Sequence, residues 1–189
     1  YSEQTPDGYW WFTLEANETI GAEMIFLEHC LGIRTHQLWE RLCNRMLDQQ
    51  RPDGSWALAT ELDGDLSTTL ECYVALRMTG YEQNHPHLVR AREFILQHGG
   101  IAKARVFTQI HFALLGLIDW EIPPTMPVEV VLLPHWAKFS IYEFSSWARA
   151  CIVPLLIIMT QKPVWPVSII DLQNEIRVQN PENPSLKEV

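Results

Sequence analysis

QTPDGYW at residues 4–10 returns as QRPDGSW at residues 50–56, 46 residues later and with five of its seven positions unchanged. In both copies proline presets the backbone for the second position of a turn, aspartate suits the third, and glycine permits the fourth. We therefore predict the same rigid turn twice, at the spacing of a structural repeat.

The glutamine and the tryptophan at the two ends of each copy indicate the structural role of the turn. Gln4 and Gln50 fall where a preceding helix would end, so that the side-chain amide can bond backbone groups left free there. Trp10 and Trp56 offer large flat faces against which that amide can lie. We predict a lock between successive helical hairpins, with a role in stability rather than in chemistry.

Two helices are predicted between the copies. Residues 17–31 carry apolar side chains at helical spacing and are followed by Gly32, a typical residue after a helix end. Residues 35–50 repeat this pattern. The apolar residues at helical spacing are Ile20, Met24, Leu27 and Leu31 in the first helix, and Leu38, Leu42, Cys43 and Met46 form one stripe of the second.

Two more helices follow the second copy, at 67–79 and 87–98. Thr68 and Glu71 are spaced as a capping box at the start of the first. The order is thus turn, helix, helix, repeated once. Two helices in each period of 40 to 50 residues predict an all-α fold, in which helical-hairpin repeats form a solenoid or part of an α/α barrel.

The carboxyl-terminal half is less regular. A fifth helix is expected at 105–117 and a strongly apolar one at 140–160. Glu143, Arg149 and Pro154 argue against a membrane span, since an ion at the bilayer centre costs about 2.5 to 3.5 kcal/mol. We predict instead a buried or half-buried helix kinked at Pro154.

Domain limits follow from composition. We expect one partial barrel over 1–166 and a linker or mobile tail over 167–189, where the chain turns polar. The first residue, Tyr1, is not a methionine and stands next to a motif, so that a piece of a longer protein is expected.

Charge and cysteine usage limit the partners. The 189 residues hold 23 acidic and 14 basic side chains, a formal net charge of -9, which argues against nucleic acid. The four cysteines lie far apart within apolar patterns and are read as reduced core residues.

The repeated phrase resembles the QW motif of squalene-hopene cyclases and their oxidosqualene cyclase relatives. The similarity continues through DLSTTLECYVALRMTG, FILQHGGIAKARVFTQIHFALLG and IYEFSSWARA, and it covers about 4–166 in order.

This resemblance implies a class II terpene cyclase, a monotopic membrane enzyme with two α/α barrel domains around a cavity. Such an enzyme protonates squalene and closes pentacyclic hopanoid rings through a carbocation cascade, which needs a carboxylic acid, aromatic faces and a dry pocket. The family's acid is the middle aspartate of a DxDD sequence, which the printed sequence lacks; DGDL at 63–66 fails at the fourth position. The implied role is an amino-terminal part that supplies cavity wall, is inactive alone, and needs no cofactor or metal.

The resemblance also assigns residues to the substrate. Trp147 and Phe107 match positions that face the cavity, and Phe144 and Ile152 match a narrow point between the membrane channel and the cavity. From the sequence alone, all four are equally well explained as core residues of helices.

Glu23, Glu71 and Arg105 match polar positions that the family uses in a hydrogen-bond network beside the cavity. The alternatives are a surface carboxylate, the capping-box partner of Thr68, and a surface cation. His111 stands where the family commonly has tryptophan, and it either alters packing or adds a titratable group.

The implied partners are squalene or a similar polyprenoid, the remainder of the cyclase chain, a second copy in a homodimer, and the cytoplasmic face of a bacterial membrane, reached through parts outside this sequence.

Three alternatives stay open. They are a helical-repeat interaction module without chemistry, a hydrolase that uses Glu61, Asp63 or Asp65, and a prenyltransferase-like barrel, for which the sequence offers no zinc ligand set.

Overall fold

The computed structural model describes residues 3–11, 16–124, 127–137, 140–167 and 172–176. The all-α prediction is confirmed, because these residues are mostly helical with one short antiparallel pair of strands. The helices are α1 (Glu18–Cys30), α2 (His36–Gln49), α3 (Leu66–Met78), α4 (Pro86–Gln97), α5 (Val106–Leu114), α6 (Ser146–Gln161) and α7 (Leu172–Ile176); the strands are β1 (Trp56–Ala57) and β2 (Gly64–Asp65).

The centre of the fold is α3, in which residues 67–76 are all buried. It packs against α1 and α4, and α2 packs against α1, so that the two predicted hairpins lie side by side. Buried polar groups on α3 are bonded: the Thr69 hydroxyl donates to the Asp65 carbonyl and accepts from the Trp56 amide. The short strand pair, with Trp56 opposite Asp65, thereby joins the second turn to the start of α3.

The predicted capping box on α3 is wrong. Asp65 caps this helix, because its carboxylate accepts a hydrogen bond of 2.8 Å from the Thr68 amide. Glu71 does not return to the helix start, since its side chain is buried against α5, where it accepts from the Thr108 hydroxyl.

Both copies of the repeated phrase form the predicted turn. The glycine amide donates to the carbonyl three residues earlier, from Gly8 to Thr5 at 2.9 Å and from Gly54 to Arg51 at 3.0 Å. Each glycine has a positive φ, 88° and 86°, a conformation that costs glycine little. We call residues 4–10 the first turn and residues 50–56 the second turn.

The apolar helix expected at 140–160 starts later, at Ser146, because the Ser145 hydroxyl accepts from the Ala148 amide and caps it. Residues 141–143 form a separate 3₁₀ turn. Leu156 and Met159 are the buried residues of α6 and the others are intermediate or exposed, so of the two alternatives predicted the half-buried helix is the one observed. Of the helices described, none has the length and apolarity to cross a bilayer.

Five residues of the segment predicted to be a linker or mobile tail form α7, which packs against α3 and α4. Glu175 is buried there. It accepts hydrogen bonds from the Tyr73 hydroxyl at 2.6 Å and from the Arg77 guanidinium at 2.8 and 3.0 Å. The Arg92 guanidinium donates to the Glu175 carbonyl. The Arg77 and Arg92 bonds therefore hold α7 on the hairpin of α3 and α4.

Candidate functional site

Two carboxylates and one imidazole, from α1, α3 and α5, lie close together. Glu23 comes from α1, Glu71 from α3 and His111 from α5. The Nδ1 atom of His111 lies 3.5 Å from Glu71 Oε1 and 3.7 Å from Glu23 Oε1. One donor atom from each residue can be chosen so that all lie within 4.8 Å of one another. We call these three residues the carboxylate–histidine cluster.

Packing fixes the inner part of this cluster. Glu71 is almost fully buried, and the Thr108 hydroxyl, one turn before His111 on α5, donates to its Oε1 at 2.7 Å. The ring of Phe26 lies 6.2 Å from the His111 ring and limits its orientation. Thus α5 supplies both the imidazole and the group that orients Glu71.

Two buried atoms of the cluster have no hydrogen-bond partner among the described residues: Glu71 Oε2 and His111 Nδ1. A buried polar atom without a partner costs about 1 to 3 kcal/mol. At 3.5 and 3.7 Å, the two Nδ1 to carboxylate distances also exceed the usual length of an N–H···O bond. The cluster therefore has unused capacity to bind a cation or a proton.

Glu23 forms the outer part of the cluster. Burial raises the pKa of its carboxyl above the ordinary value, and the nearby negative charge of Glu71 raises it further, whereas His111 and Arg105 act in the opposite direction. The raised pKa of Glu23 is thus due first to its burial and then to its position beside Glu71.

Arg105 lies apart from this cluster in its contacts. Its guanidinium donates to Asp65 at 2.9 Å, and nearly half of its side chain is exposed. It influences Glu23 through its charge, without a direct hydrogen bond among the described contacts. Of the three residues assigned to one polar network, Glu23 and Glu71 therefore lie in the cluster, whereas Arg105 is bonded to Asp65 beside it.

The cluster opens onto a groove of 710 Å³ between α1 and α2. We call it the apolar groove; its apolar lining includes Ile20, Met24, Leu27, Leu42 and Met46. Three of these, Ile20, Met24 and Leu27, belong to the apolar stripe from which the first helix was predicted, and this whole stripe, Leu31 included, is exposed. Instead, α1 buries the opposite face through Ala22, Ile25 and Phe26.

A second cavity of 330 Å³ lies between α1, α5 and α6. It is lined by Phe26, Leu27, Leu114, Ile158 and Trp165, and it also reaches Glu23 and His111. The segment around Trp165 is held there because its amide donates to the Leu114 carbonyl at 2.7 Å. Apolar space thus lies on two sides of the cluster.

Three of the four residues assigned to the substrate are exposed, and the fourth is half-buried. Trp147, in the first turn of α6, is 78% exposed, Phe107 on α5 is 58% exposed and Phe144 is 45% exposed. Ile152 on α6 is half-buried. None of them lines the groove or the second cavity. The simpler alternative, that all four are core residues, does not hold for the three aromatic side chains.

The contacts that complete the cluster were not predicted from the sequence. Glu23 and Glu71 stand at matching places in successive repeats and His111 departs from the family pattern, but no local signal brings the three together. The available signal was the spacing of Thr108 and His111, which puts both on one face of α5.

Comparison with known proteins identifies relatives along nearly the whole chain. The family model of the squalene-hopene cyclase N-terminal domain matches residues 1–188. Dammaradiene synthase of Dryopteris crassirhizoma is 42% identical over 167 residues, which are 88% of this chain and 24% of that protein. The squalene-hopene cyclase of Schizosaccharomyces japonicus is 43% identical over 162 residues, which are 85% of this chain and 25% of that protein.

The squalene-hopene cyclase of Zymomonas mobilis is 44% identical over 163 residues, covering 86% of this chain and 25% of that protein. The chain thus spans about a quarter of the length of these relatives.

Proposed function

The chain belongs to the squalene-hopene cyclase N-terminal domain family, and from this we propose that it is the amino-terminal part of a triterpene cyclase acting on squalene or a similar polyprenoid. The enzyme would form hopanoid-type rings by a proton-initiated carbocation cascade. The family match over residues 1–188 is the observation that carries this proposal. Relatives named for different activities, dammaradiene synthase and squalene-hopene cyclases, share this similarity.

The role proposed for this chain is to supply part of the cavity wall. Trp147 and Phe107 expose large aromatic faces, which can stabilise a passing carbocation through the negative charge of the ring face. Phe144 and Ile152 would form the narrow point through which the polyene enters. The proton donor would come from a part of the enzyme outside the printed sequence, which has no DxDD.

Glu23, Glu71 and Arg105 would support this wall as a polar network. The membrane surface, the remainder of the cyclase chain and a second copy are the partners proposed for the whole enzyme, on the cytoplasmic side of the membrane. An interaction module without chemistry remains the alternative, and the exposed apolar stripe of α1 is the observation that favours it.

The test compares two tryptophans that are equally exposed, at 78% each: Trp147 and Trp11. In the intact protein supplied with squalene, Trp147→Ala should lower the rate of product formation by at least about tenfold, or release partly cyclised products, because a lost cation–π contact is worth about 2 kcal/mol when desolvated. Trp147→Phe should retain part of the activity, and Trp11→Ala should change it by less than about twofold.

Gas chromatography with mass spectrometry would measure both rate and products. Equal effects of Trp147→Ala and Trp11→Ala would contradict the placement of Trp147 in the cavity wall. Lack of any product from squalene by the unchanged intact protein would instead favour the interaction module.

A further inference from the structure

We propose that the carboxylate–histidine cluster is a binding site for a divalent transition-metal ion, with zinc as the ion that fits best. This goes beyond the cyclase function, since the ring-forming cascade proposed above uses no metal. The site would be formed by Glu23, Glu71 and His111 alone, and Arg105 would not take part.

The donor set agrees with zinc chemistry. Zinc is bound by histidine nitrogen at about 2.0 to 2.1 Å and by carboxylate oxygen at about 2.0 to 2.2 Å, in tetrahedral sites. Donors around such an ion are roughly 3.3 to 3.5 Å apart. The distances from His111 Nδ1, 3.5 Å to Glu71 and 3.7 Å to Glu23, are close to that separation. A small rotation of the partly exposed Glu23 side chain would bring its carboxylate oxygen to that separation.

Buried atoms without partners supply the second, independent argument. Glu71 is 1% exposed, and its Oε2 has no hydrogen-bond partner among the described residues. His111 Nδ1 is also buried and unpartnered there, although two carboxylates face it. An unprotonated Nδ1 would point its lone pair at negative oxygens, and a protonated one lies too far away for good hydrogen bonds. A metal cation between the three groups would take up the lone pair of Nδ1, and a Glu71 carboxylate that bound it through both oxygens would satisfy Oε2 as well.

Supporting contacts resemble those of metal sites. The Thr108 hydroxyl orients the Glu71 carboxylate at 2.7 Å, as outer-shell hydrogen bonds orient ligands elsewhere. Calcium and magnesium are less suitable, since they prefer six or more oxygen ligands. Three protein ligands leave a fourth position free. Because Glu23 and His111 also line the apolar groove, that position can be reached from it.

The experiment is titration of the intact protein with Zn²⁺ at neutral pH by isothermal calorimetry, with Co²⁺ absorption as a second measurement. His111→Ala and Glu71→Gln should each weaken binding by at least about tenfold and abolish the visible band of tetrahedral cobalt. The amide introduced by Glu71→Gln keeps an oxygen for the Thr108 hydroxyl, so this variant should fold normally.

The control is the double variant His85→Ala/His87→Ala, which removes a pair of half-buried, stacked histidines at the start of α4, with ring centroids 5.5 Å apart. It should leave the affinity unchanged. Zinc binding that is lost in this control, or that survives both His111→Ala and Glu71→Gln, overturns the proposal. If a folding defect appears in either variant, Glu23→Gln, at the partly exposed edge of the cluster, must still weaken zinc binding. Squalene turnover is not a readout here, so failure of this test leaves the cyclase proposal untouched.

Discussion

The first and second turns share five of seven residues and the same internal hydrogen bonds, yet their tryptophans have opposite environments. Trp56 is fully buried, whereas Trp10 is 51% exposed. In each turn the glutamine amide donates to the glycine carbonyl, at 2.6 Å from Gln4 and 2.9 Å from Gln50. The phrase therefore specifies the turn by itself, and its neighbours decide whether the turn becomes a lock.

The second turn has those neighbours in α2 and α4. The Gln50 amide also donates to the His87 carbonyl at 2.8 Å, and the Arg90 guanidinium donates to the Gln50 side-chain oxygen at 2.8 Å. The Trp56 indole donates to the Met46 carbonyl at 2.7 Å. Turn, preceding helix and α4 are thus joined. No such bond is recorded for the first turn within the described residues.

The largest difference is expected from removing the tryptophans. Trp56→Ala should lower the free energy of unfolding by about 3 to 5 kcal/mol, because it creates a cavity in the core and leaves the Met46 carbonyl without its donor. Trp10→Ala should cost less than about 1 kcal/mol. Native-state hydrogen exchange of the α3 amides in the intact protein measures both. An equally large loss for Trp10→Ala would break the comparison, since it would mean that the first turn is also covered.

A smaller difference is expected from the glycines. A Cβ atom on Gly54 would lie 2.5 Å from the Arg90 backbone, whereas one on Gly8 would be 3.9 Å from its nearest neighbour. Both alanines would be strained by the positive φ, at about 1 kcal/mol, but Gly54→Ala also forces α4 away and should cost about 2 to 4 kcal/mol. Urea unfolding followed by tryptophan fluorescence would compare them. Equal losses of unfolding free energy would show that backbone strain alone accounts for the cost of both substitutions.

The smallest effect on stability is expected at α7, which packs against α4. Burial opposes ionisation of Glu175, but the hydrogen bonds from Arg77 and Tyr73 outweigh it and lower the pKa of its carboxyl. A lowered folded-state pKa stabilises the fold above the unfolded value of about 4.3, and this stabilisation is lost as the pH falls through the folded pKa. Glu175→Gln should therefore cost about 1 to 2 kcal/mol at pH 7 and progressively less in acid.

Thermal melting at several pH values tests this, with Glu121→Gln as the control. Glu121 forms an exposed pair with Lys162 at 2.6 Å, so its loss should matter little at any pH. A Glu175→Gln penalty that stays constant down to about pH 3, well below the unfolded-state pKa of a glutamate, would contradict the assignment.

Much of the helical hairpin pattern could be predicted because it depends on local signals. The predicted bounds of α1 to α4 agree with the structure within about two residues. The orientation of α1 could not be predicted in the same way. This helix is apolar on two faces, Ile20 with Met24 and Ile25 with Phe26, and periodicity alone does not say which of them meets α3.

The candidate site was less predictable, because its contacts join distant parts of the chain. For example, Glu71 on α3 and Thr108 on α5 are 37 positions apart. Such pairs depend on how α1, α3 and α5 pack, which no local pattern encodes. For the same reason, the polar tail gave no sign that Glu175 would be buried.

The lock at Gln50 also sets an order of events during synthesis. Its partners His87 and Arg90 lie 37 and 40 residues further along the chain. At about 5 to 20 residues per second, the ribosome needs several seconds to deliver them. During that interval Gln50 and the nascent α3 lack α4, so the lock at the second turn cannot close until α4 has been synthesised. The first turn, whose recorded bonds all fall within seven residues, needs no such wait.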